Sequence, residues 1–263
     1  MTAPALSVQG LSARLGGRPV LSDVTLSAGE GERVSVVGPN GAGKTTLLKC
    51  VIGLVRPSAG EVRLAGRPAS AMTRREIARA VAYVPQADGR AVPFTVREFV
   101  MMGRYPHLSP FTAPAKADFD AVDRAMELAG VAAFAERALV TLSGGEAQAA
   151  FVAAALAEEA PLLLLDEPAT FLDPKHHAEV TEVLARAARA TGAATVTVTH
   201  DVNAAALASD RVVALRDGRV VFHGAPRELM REEVLEEVYG RRFLLVEHPT
   251  AGIPVVMPEG AAR

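Results

Sequence analysis

The chain has 263 residues, 49% hydrophobic and 22% charged, enough to bury one sizeable core or one domain with an inserted lobe. A formal net charge of −2 offers no basic surface for releasing counterions, so no nucleic-acid partner is expected. The single cysteine, Cys50, excludes an intramolecular disulfide and fits a cytosolic setting, and no run approaches the ~18 apolar residues of a membrane span.

Met1 to Leu6 lacks the basic start and long apolar segment of a signal peptide, so any membrane work is expected to pass through another subunit. Residues 6–32 carry short alternating apolar stretches broken by Gly16-Gly17 and by Gly29 to Glu32, which predicts antiparallel strands. Residues 33–54 read as a buried strand, a glycine loop and a helix. A turn at Pro57 and a strand follow, then a helical stretch at 73–80 and a short strand, Val81 to Val84, that ends at Pro85-Gln86. From Asp88 to about Ala157 the pattern becomes helical. Thr95-Val-Arg-Glu98 is a capping box that opens a helix over Val96 to Met102. Pro114 to Ala129 places Phe119, Val122, Met126 and Ala129 on one face, with Gly130 as the stop. Ser143-Gly-Gly-Glu146 is a second capping box, so the next helix directs its N-terminal N–H groups outward beyond Ser143.

The α/β pattern then returns with a buried strand after Pro161, an amphipathic helix over 176–190 and a strand from Ala194 to Thr199. Arg211 to Phe222 is a hairpin turning at Asp217-Gly218, Pro226 starts a short helix, and 241–263 is a short proline-bearing tail. The fold class is α/β: a phosphate-loop core with a parallel sheet, an N-terminal antiparallel β subdomain and an inserted helical subdomain. The expected division is one domain, 1–263, with 1–87 and 158–240 as the nucleotide-binding core and 88–157 as the helical insertion.

Gly38, Gly43, Lys44 and Thr45 complete the pattern G-x-x-x-x-G-K-[ST] between strand and helix. Backbone N–H groups of such a loop close on phosphate oxygens, Lys44 reaches the β- and γ-phosphates, and Thr45 offers a hydroxyl to Mg²⁺. The strand context and all four fixed positions argue against a chance glycine turn. Asp166-Glu167 end the four-leucine strand, where an aspartate can hold Mg²⁺ and a glutamate can activate the attacking water, although a solvated turn has the same composition. Taken alone, His200 reads as a satisfied strand-end histidine and Gln86 as an exposed loop glutamine.

The ordered set resembles the ATP-binding cassette (ABC) ATPases, from about Leu6 to Pro258. The matching stretches are Gly38 to Thr46 (Gly38, Pro39, Asn40, Gly41, Ala42, Gly43, Lys44, Thr45, Thr46), Gln86, Leu142 to Glu146, Leu162 to Glu167, Phe171 to Asp173, and His200. The resemblance implies ATP and Mg²⁺, with Thr45, Gln86 and Asp166 toward the metal, and Glu167, His200 and Gln86 as catalytic groups. It also implies a homodimer in which Ser143, Gly144, Gly145 and Asp173 of one cassette meet the nucleotide of the other. Two positions depart from the family pattern. Leu15 stands where an aromatic residue commonly stacks on adenine, and Ala147, Ala149 and Ala154 stand where arginines are common on the signature helix.

A narrower resemblance, to the ATPase subunits of iron-siderophore, haem and cobalamin importers, lies in Phe94 to His107, Thr170 to His177, and Val238-Tyr239-Gly240 with Glu247 to Gly252. It implies integral membrane permease partners, indirect work with an external substrate-binding protein, and a peripheral position on the cytoplasmic face of the membrane. Phe99, Met101, Met102 and Tyr105 fall where such a subunit receives its permease, though an apolar cluster serves equally as core. A soluble ABC ATPase for iron–sulfur cluster assembly and a nucleotide-binding module without hydrolysis are the alternative readings.

Overall fold

The computed structural model describes residues 3–86, 93–109, 112–170 and 174–257, excluding the side chains of 174 and 175. These residues divide into two compact units, one formed by the chain up to Ala71 and from Thr195 onward, the other by Met72–Ala194.

The first unit opens with β1 (Leu6–Leu15) antiparallel to β2 (Arg18–Ala28). Gly10, at φ 58°, sits in a bulge between Val8 and Leu11, and the extra residue shifts the side-chain parity so that Leu6, Val8, Leu11 and Ala13 all point inward. β3 (Arg33–Val37) is buried from Val34 onward and feeds the glycine loop and α1 (Lys44–Val51). β4 (Ala59–Leu64) pairs with β1, and β5 (Arg67–Pro68) pairs with β4, which completes an antiparallel sheet in the order β2-β1-β4-β5.

Three capping boxes start helices in the second unit. Thr73 opens α2 (Arg74–Ala80), Thr95 opens α3 (Val96–Met102) and Ser143 opens α5 (Gly144–Ala157). In each, the cap side chain accepts from the N3 amide while the N3 glutamate accepts from the cap amide, satisfying two orphan donors. α3 and α5 pack with α4 (Lys116–Ala129) around Val96, Val100, Val122, Met126, Ala150 and Ala153. The contact is close: a Cβ on Gly103 would stand 2.1 Å from the Ala154 carbonyl oxygen. β6 (Val81–Val84) runs parallel to β7 (Leu162–Asp166), which is buried at all five positions, and α6 (Pro174–Thr191) follows.

One expectation for this unit is corrected. Phe119 does not share the inward face of α4; it is 45% exposed, and the buried positions are Asp118, Ala121, Val122, Ala125, Met126 and Ala129. Asp118 takes the inward first-turn position because its carboxylate accepts from the Ala115 amide at 2.9 Å and from Arg104 Nε at 3.1 Å, which rotates Phe119 toward solvent. The apolar set after Phe94 divides. Phe99 packs edge-on against Phe151 at 4.8 Å and Met101 lines the core, while Met102 and Tyr105 are exposed, Tyr105 at 76%.

β8 (Ala194–Val198) returns the chain to the first unit, followed by α7 (Val202–Ala208), β9 (Arg211–Arg216) and β10 (Arg219–Gly224). β3 lies between β8 and β9, parallel to both, and β10 closes on β9 through a two-residue turn with Asp217 and Gly218 at φ 49° and 76°. After α8 (Pro226–Leu229) and α9 (Glu232–Tyr239), the expected plain tail contains a hairpin, β11 (Leu244–Glu247) on β12 (Pro254–Met257).

Arg104 is a buried charge of the helical unit, 5% exposed, and donates to Asp118 Oδ1, the Ala157 carbonyl at 2.6 Å and Glu159 Oε2 at 2.8 Å. Removing one partner of a buried pair strands the other, so Arg104→Ala is expected to destabilise the protein by about 3 kcal/mol in urea denaturation. A loss below about 1 kcal/mol would show that solvent takes over the guanidinium's role.

Candidate functional site

In the first unit, the loop after β3 is held by glycine geometry. Gly38, Gly41 and Gly43 have φ of 139°, 82° and 97°, a region L-residues seldom enter. A Cβ on Gly38 would lie 2.0 Å from the Leu215 carbonyl oxygen, and one on Gly43 would lie 2.6 Å from Leu21 Cδ2. Two positions therefore demand glycine for space as well as for φ. Gly43 is the N-cap of α1, and the first turn of that helix carries no acidic residue to compete for its N–H groups. The Lys44 ammonium is buried and donates to the carbonyls of Gly38 at 2.8 Å and Pro39 at 3.1 Å, which folds the side chain along its own loop. Thr45 is half-buried, Thr46 is buried and Asn40 is exposed. A concave run of amides, a helix N-terminus and an ammonium form a fitting cradle for a nucleoside triphosphate.

His200 belongs to the same unit. β3 and β8 pair Val36 with Val198, so two residues further along, Gly38 and His200 stand level at the C-terminal edge of the sheet. The Thr199 amide donates to the Val36 carbonyl at 3.1 Å, and Asp201 caps α7 by accepting from the Ala204 amide at 2.9 Å, so His200 is fixed on both sides while its ring stays exposed. Leu15 ends β1 just before Gly16-Gly17 and is half-exposed.

The second unit holds the carboxylates. Asp166 is 2% exposed and accepts from the Tyr83 hydroxyl at 3.0 Å. Burial first, then the Asp166 charge, pushes the Tyr83 phenol well above its ordinary value, so it stays a proton donor. Glu167 follows at φ 50°, a left-handed backbone that costs energy for a non-glycine residue, and its Oε2 accepts from Thr170 Oγ1 at 2.8 Å. β6 and β7 pair Val84 with Leu165, which puts exposed Gln86 level with Glu167.

At the start of α5, the Ser143 hydroxyl accepts from the Glu146 amide at 3.3 Å and Glu146 Oε2 accepts from the Ser143 amide at 2.7 Å. The Ser143 amide holds the Glu146 carboxyl below the ordinary carboxylate range, so the box persists through neutral pH. Ser143 and Gly144 are exposed, whereas Gly145 is buried against the His176 ring, whose Cδ2 would lie 2.5 Å from an added Cβ. Ala149 is buried in the helical core, which leaves no surface place there for an arginine. Asp173 lies outside the described residues.

Tyr83 is the site residue that motif reading missed. The available signal was parity: Tyr83 pairs with Leu164, two residues before Asp166, so both side chains project from one face. Tyr83→Phe removes a donor from a buried carboxylate and is expected to cost about 1–3 kcal/mol in urea denaturation. A variant as stable as the parent would mean that the hydroxyl contributes nothing to holding Asp166.

The chain is also similar to known proteins. Residues 21–170 match the family model described as ABC transporter, and residues 135–206 match a model described as an AAA domain. The chain is 37% identical to the ferric enterobactin transport ATP-binding protein FepC of Escherichia coli (strain K12), covering 99% of this chain and 97% of that protein. It is 43% identical to the hemin import ATP-binding protein HmuV of Gloeobacter violaceus (strain ATCC 29082 / PCC 7421), covering 98% and 95% respectively. Among solved structures it is similar to a metal-chelate type ABC transporter in an inward-facing conformation, with a TM-score of 0.84 and 25% identity over 97% of this chain and 98% of that one. On the family model and the near full-length relatives, the chain belongs to the ABC transporter family as an ATP-binding, ATPase subunit.

Proposed function

We propose that this chain is the ATP-hydrolysing subunit of an importer that takes up a metal chelate, an iron-siderophore, haem or cobalamin, through separate membrane permease subunits. The observation that carries the reading is the likeness, over nearly the full length of both chains, to ATP-binding proteins of ferric enterobactin and hemin transport. Among the described residues no helix is long and apolar enough to cross a membrane, so the proposed placement is peripheral, on the cytoplasmic face. Exposed Met102 and Tyr105 are proposed to meet the permease, and an external binding protein would present the cargo on the far side.

In this reading Gly38 to Thr46 hold the triphosphate, and Leu15 covers the adenine with an aliphatic contact. Thr45, Gln86 and Asp166 bring hydroxyl, amide and carboxylate oxygens, a donor set that suits Mg²⁺, which when bound offsets the charge of the β- and γ-phosphates. Glu167 orients the attacking water and takes its proton, while His200 holds the γ-phosphate oxygen by a hydrogen bond. Two cassettes form the working dimer, with Ser143, Gly144 and Gly145 of each, together with Asp173, facing the nucleotide of the other.

Glu167→Gln keeps the shape of the side chain and removes the base. Phosphate release is expected to fall by about 10²–10⁴ while binding of a fluorescent ATP analogue survives. The variant should accumulate as dimer in light scattering with MgATP, and adding Ser143→Arg should return it to monomer. A Glu167→Gln protein that stays monomeric at saturating MgATP would refute the two-cassette arrangement. Replacing Met102 and Tyr105 together by Asp is expected to release the protein from permease-containing membranes, scored by co-sedimentation, with ATP binding retained; unchanged membrane binding would move the permease contact elsewhere.

A further inference from the structure

Val238-Tyr239-Gly240 and the stretch from Glu247 to Gly252 are distinctive in the sequence, yet neither belongs to the nucleotide motifs. Both are built features of the first unit. Gly240 ends α9 at φ 70°, and an Arg216 guanidinium N–H donates to the Glu237 carbonyl, tying the helix to β9. Between β11 and β12, His248 Nδ1 accepts from the amides of Thr250 and Ala251 at 3.3 and 3.1 Å, so the imidazole shapes the hairpin turn.

The inner side of this segment, with Tyr239, Phe243, Leu245, Ile253 and Val256, packs on a buried cluster that includes Val37 and Val202. Val37 is the residue before Gly38, and Val202 stands two residues after His200. Two polar contacts reach the same places. Asn203 Nδ2 donates to the Val256 carbonyl at 2.9 Å while the Val256 amide donates to Asn203 Oδ1 at 2.7 Å, so a side-chain amide on α7 pairs with the backbone of β12. The Tyr239 hydroxyl is fully buried facing the Gly38 amide, and no hydrogen bond of normal geometry reaches it. Burial pushes this phenol up to about 12, against the pull of the Gly38 amide and with the aid of Asp201, so it is a neutral donor at every working pH.

A phenylalanine at 239 would fill the same space beside Phe243, whose ring stands edge-on at 5.5 Å, without burying an unsatisfied hydroxyl. An apolar side chain at 203 would likewise cover Val256 without selecting one backbone register. Packing alone explains neither polar group. We infer that the segment Glu232–Met257 is a strut that fixes the phosphate loop and the His200 segment, with Tyr239 bearing on Gly38 and Asn203 clamping α7 to Val256. Both are positioning residues: a small shift of Gly38 brings its N–H onto the Tyr239 oxygen, which limits how far the loop can move, and the Asn203 clamp holds the helix that follows His200.

The inference rests on the assignment of Gly38 and His200 to ATP, and the test separates the two. Steady-state ATPase of the purified wild-type subunit, Lys44→Ala, Tyr239→Phe and Asn203→Leu is measured alongside Tm and affinity for a fluorescent ATP analogue. Tyr239→Phe is expected to keep its Tm within about 3 °C and to raise KM and the analogue Kd about three- to tenfold; Asn203→Leu should lower kcat by a similar factor with KM held. Should either variant show wild-type kinetics, whatever its Tm, that residue only packs the fold, and wild-type kinetics in both overturns the strut. An inactive wild type, or activity untouched in Lys44→Ala, would instead overturn the underlying nucleotide assignment.

Discussion

The structure depends on a backbone constraint: three left-handed glycines, Gly38, Gly41 and Gly43, have to sit between a buried strand and a helix. Such a loop is stable only if its surroundings leave no other path. The Leu215 carbonyl on β9 stands where a Gly38 side chain would go, and Leu21 on β2 stands where a Gly43 side chain would go. The positions of β9 and β2 are therefore part of the phosphate loop. Further ties serve the same end: Arg211 on β9 donates to the Ser27 carbonyl at 2.7 Å and to Glu32 at 2.9 Å, while the Ser22 amide donates to the Gly218 carbonyl at 2.8 Å. Strands of two sheets, β2 and β9, thus frame one turn of backbone.

Charge is distributed by a related rule. The loop and the first turn of α1 carry no acidic residue of their own, so the helix N-terminus keeps its partial positive charge for phosphate. In the second unit the opposite is required, because Asp166 is an acid at 2% exposure. Such a group costs several kcal/mol unless its oxygens are satisfied, and the Tyr83 hydroxyl is one donor that meets this need. Glu167 adds strain of about 1–3 kcal/mol at φ 50°, a cost found where the direction of a side chain outweighs local comfort.

Local chemistry made most of the fold legible. The capping boxes at Thr95 and Ser143, the Asp217-Gly218 turn and the four leucines of β7 each determine structure within four or five residues, and the elements appear where those patterns lie. The phosphate loop and the acidic strand end were legible for the same reason. What escaped was set at long range. Phe119 has helical spacing to Val122 and Met126, but Asp118 is drawn inward by Arg104, 14 residues away, and turns the face. Tyr83 finds Asp166 only through the register of two parallel strands. The C-terminal hairpin has strands of four residues, too short for a clear alternation, and its turn is shaped by the His248 ring in place of a glycine-rich pair.

The helix start at Ser143 shows how an exposed helix end can be rigid while its donors stay available. Capping normally consumes the first amides of a helix, which would defeat anion binding. Here the box takes the amides of Ser143 and Glu146, at the two ends of the four-residue stretch, and does not engage those of Gly144 and Gly145 between them. The His176 ring fills the space a side chain at 145 would need, so the glycine backbone is clamped from one side while Ser143 and Gly144 remain exposed on the other. A larger residue at 145 would either displace that ring or unwind the first turn. The two consecutive glycines after Ser143 then have distinct parts: the first leaves the approach to the helix end open, and the second lets α6 press close enough to hold that end still.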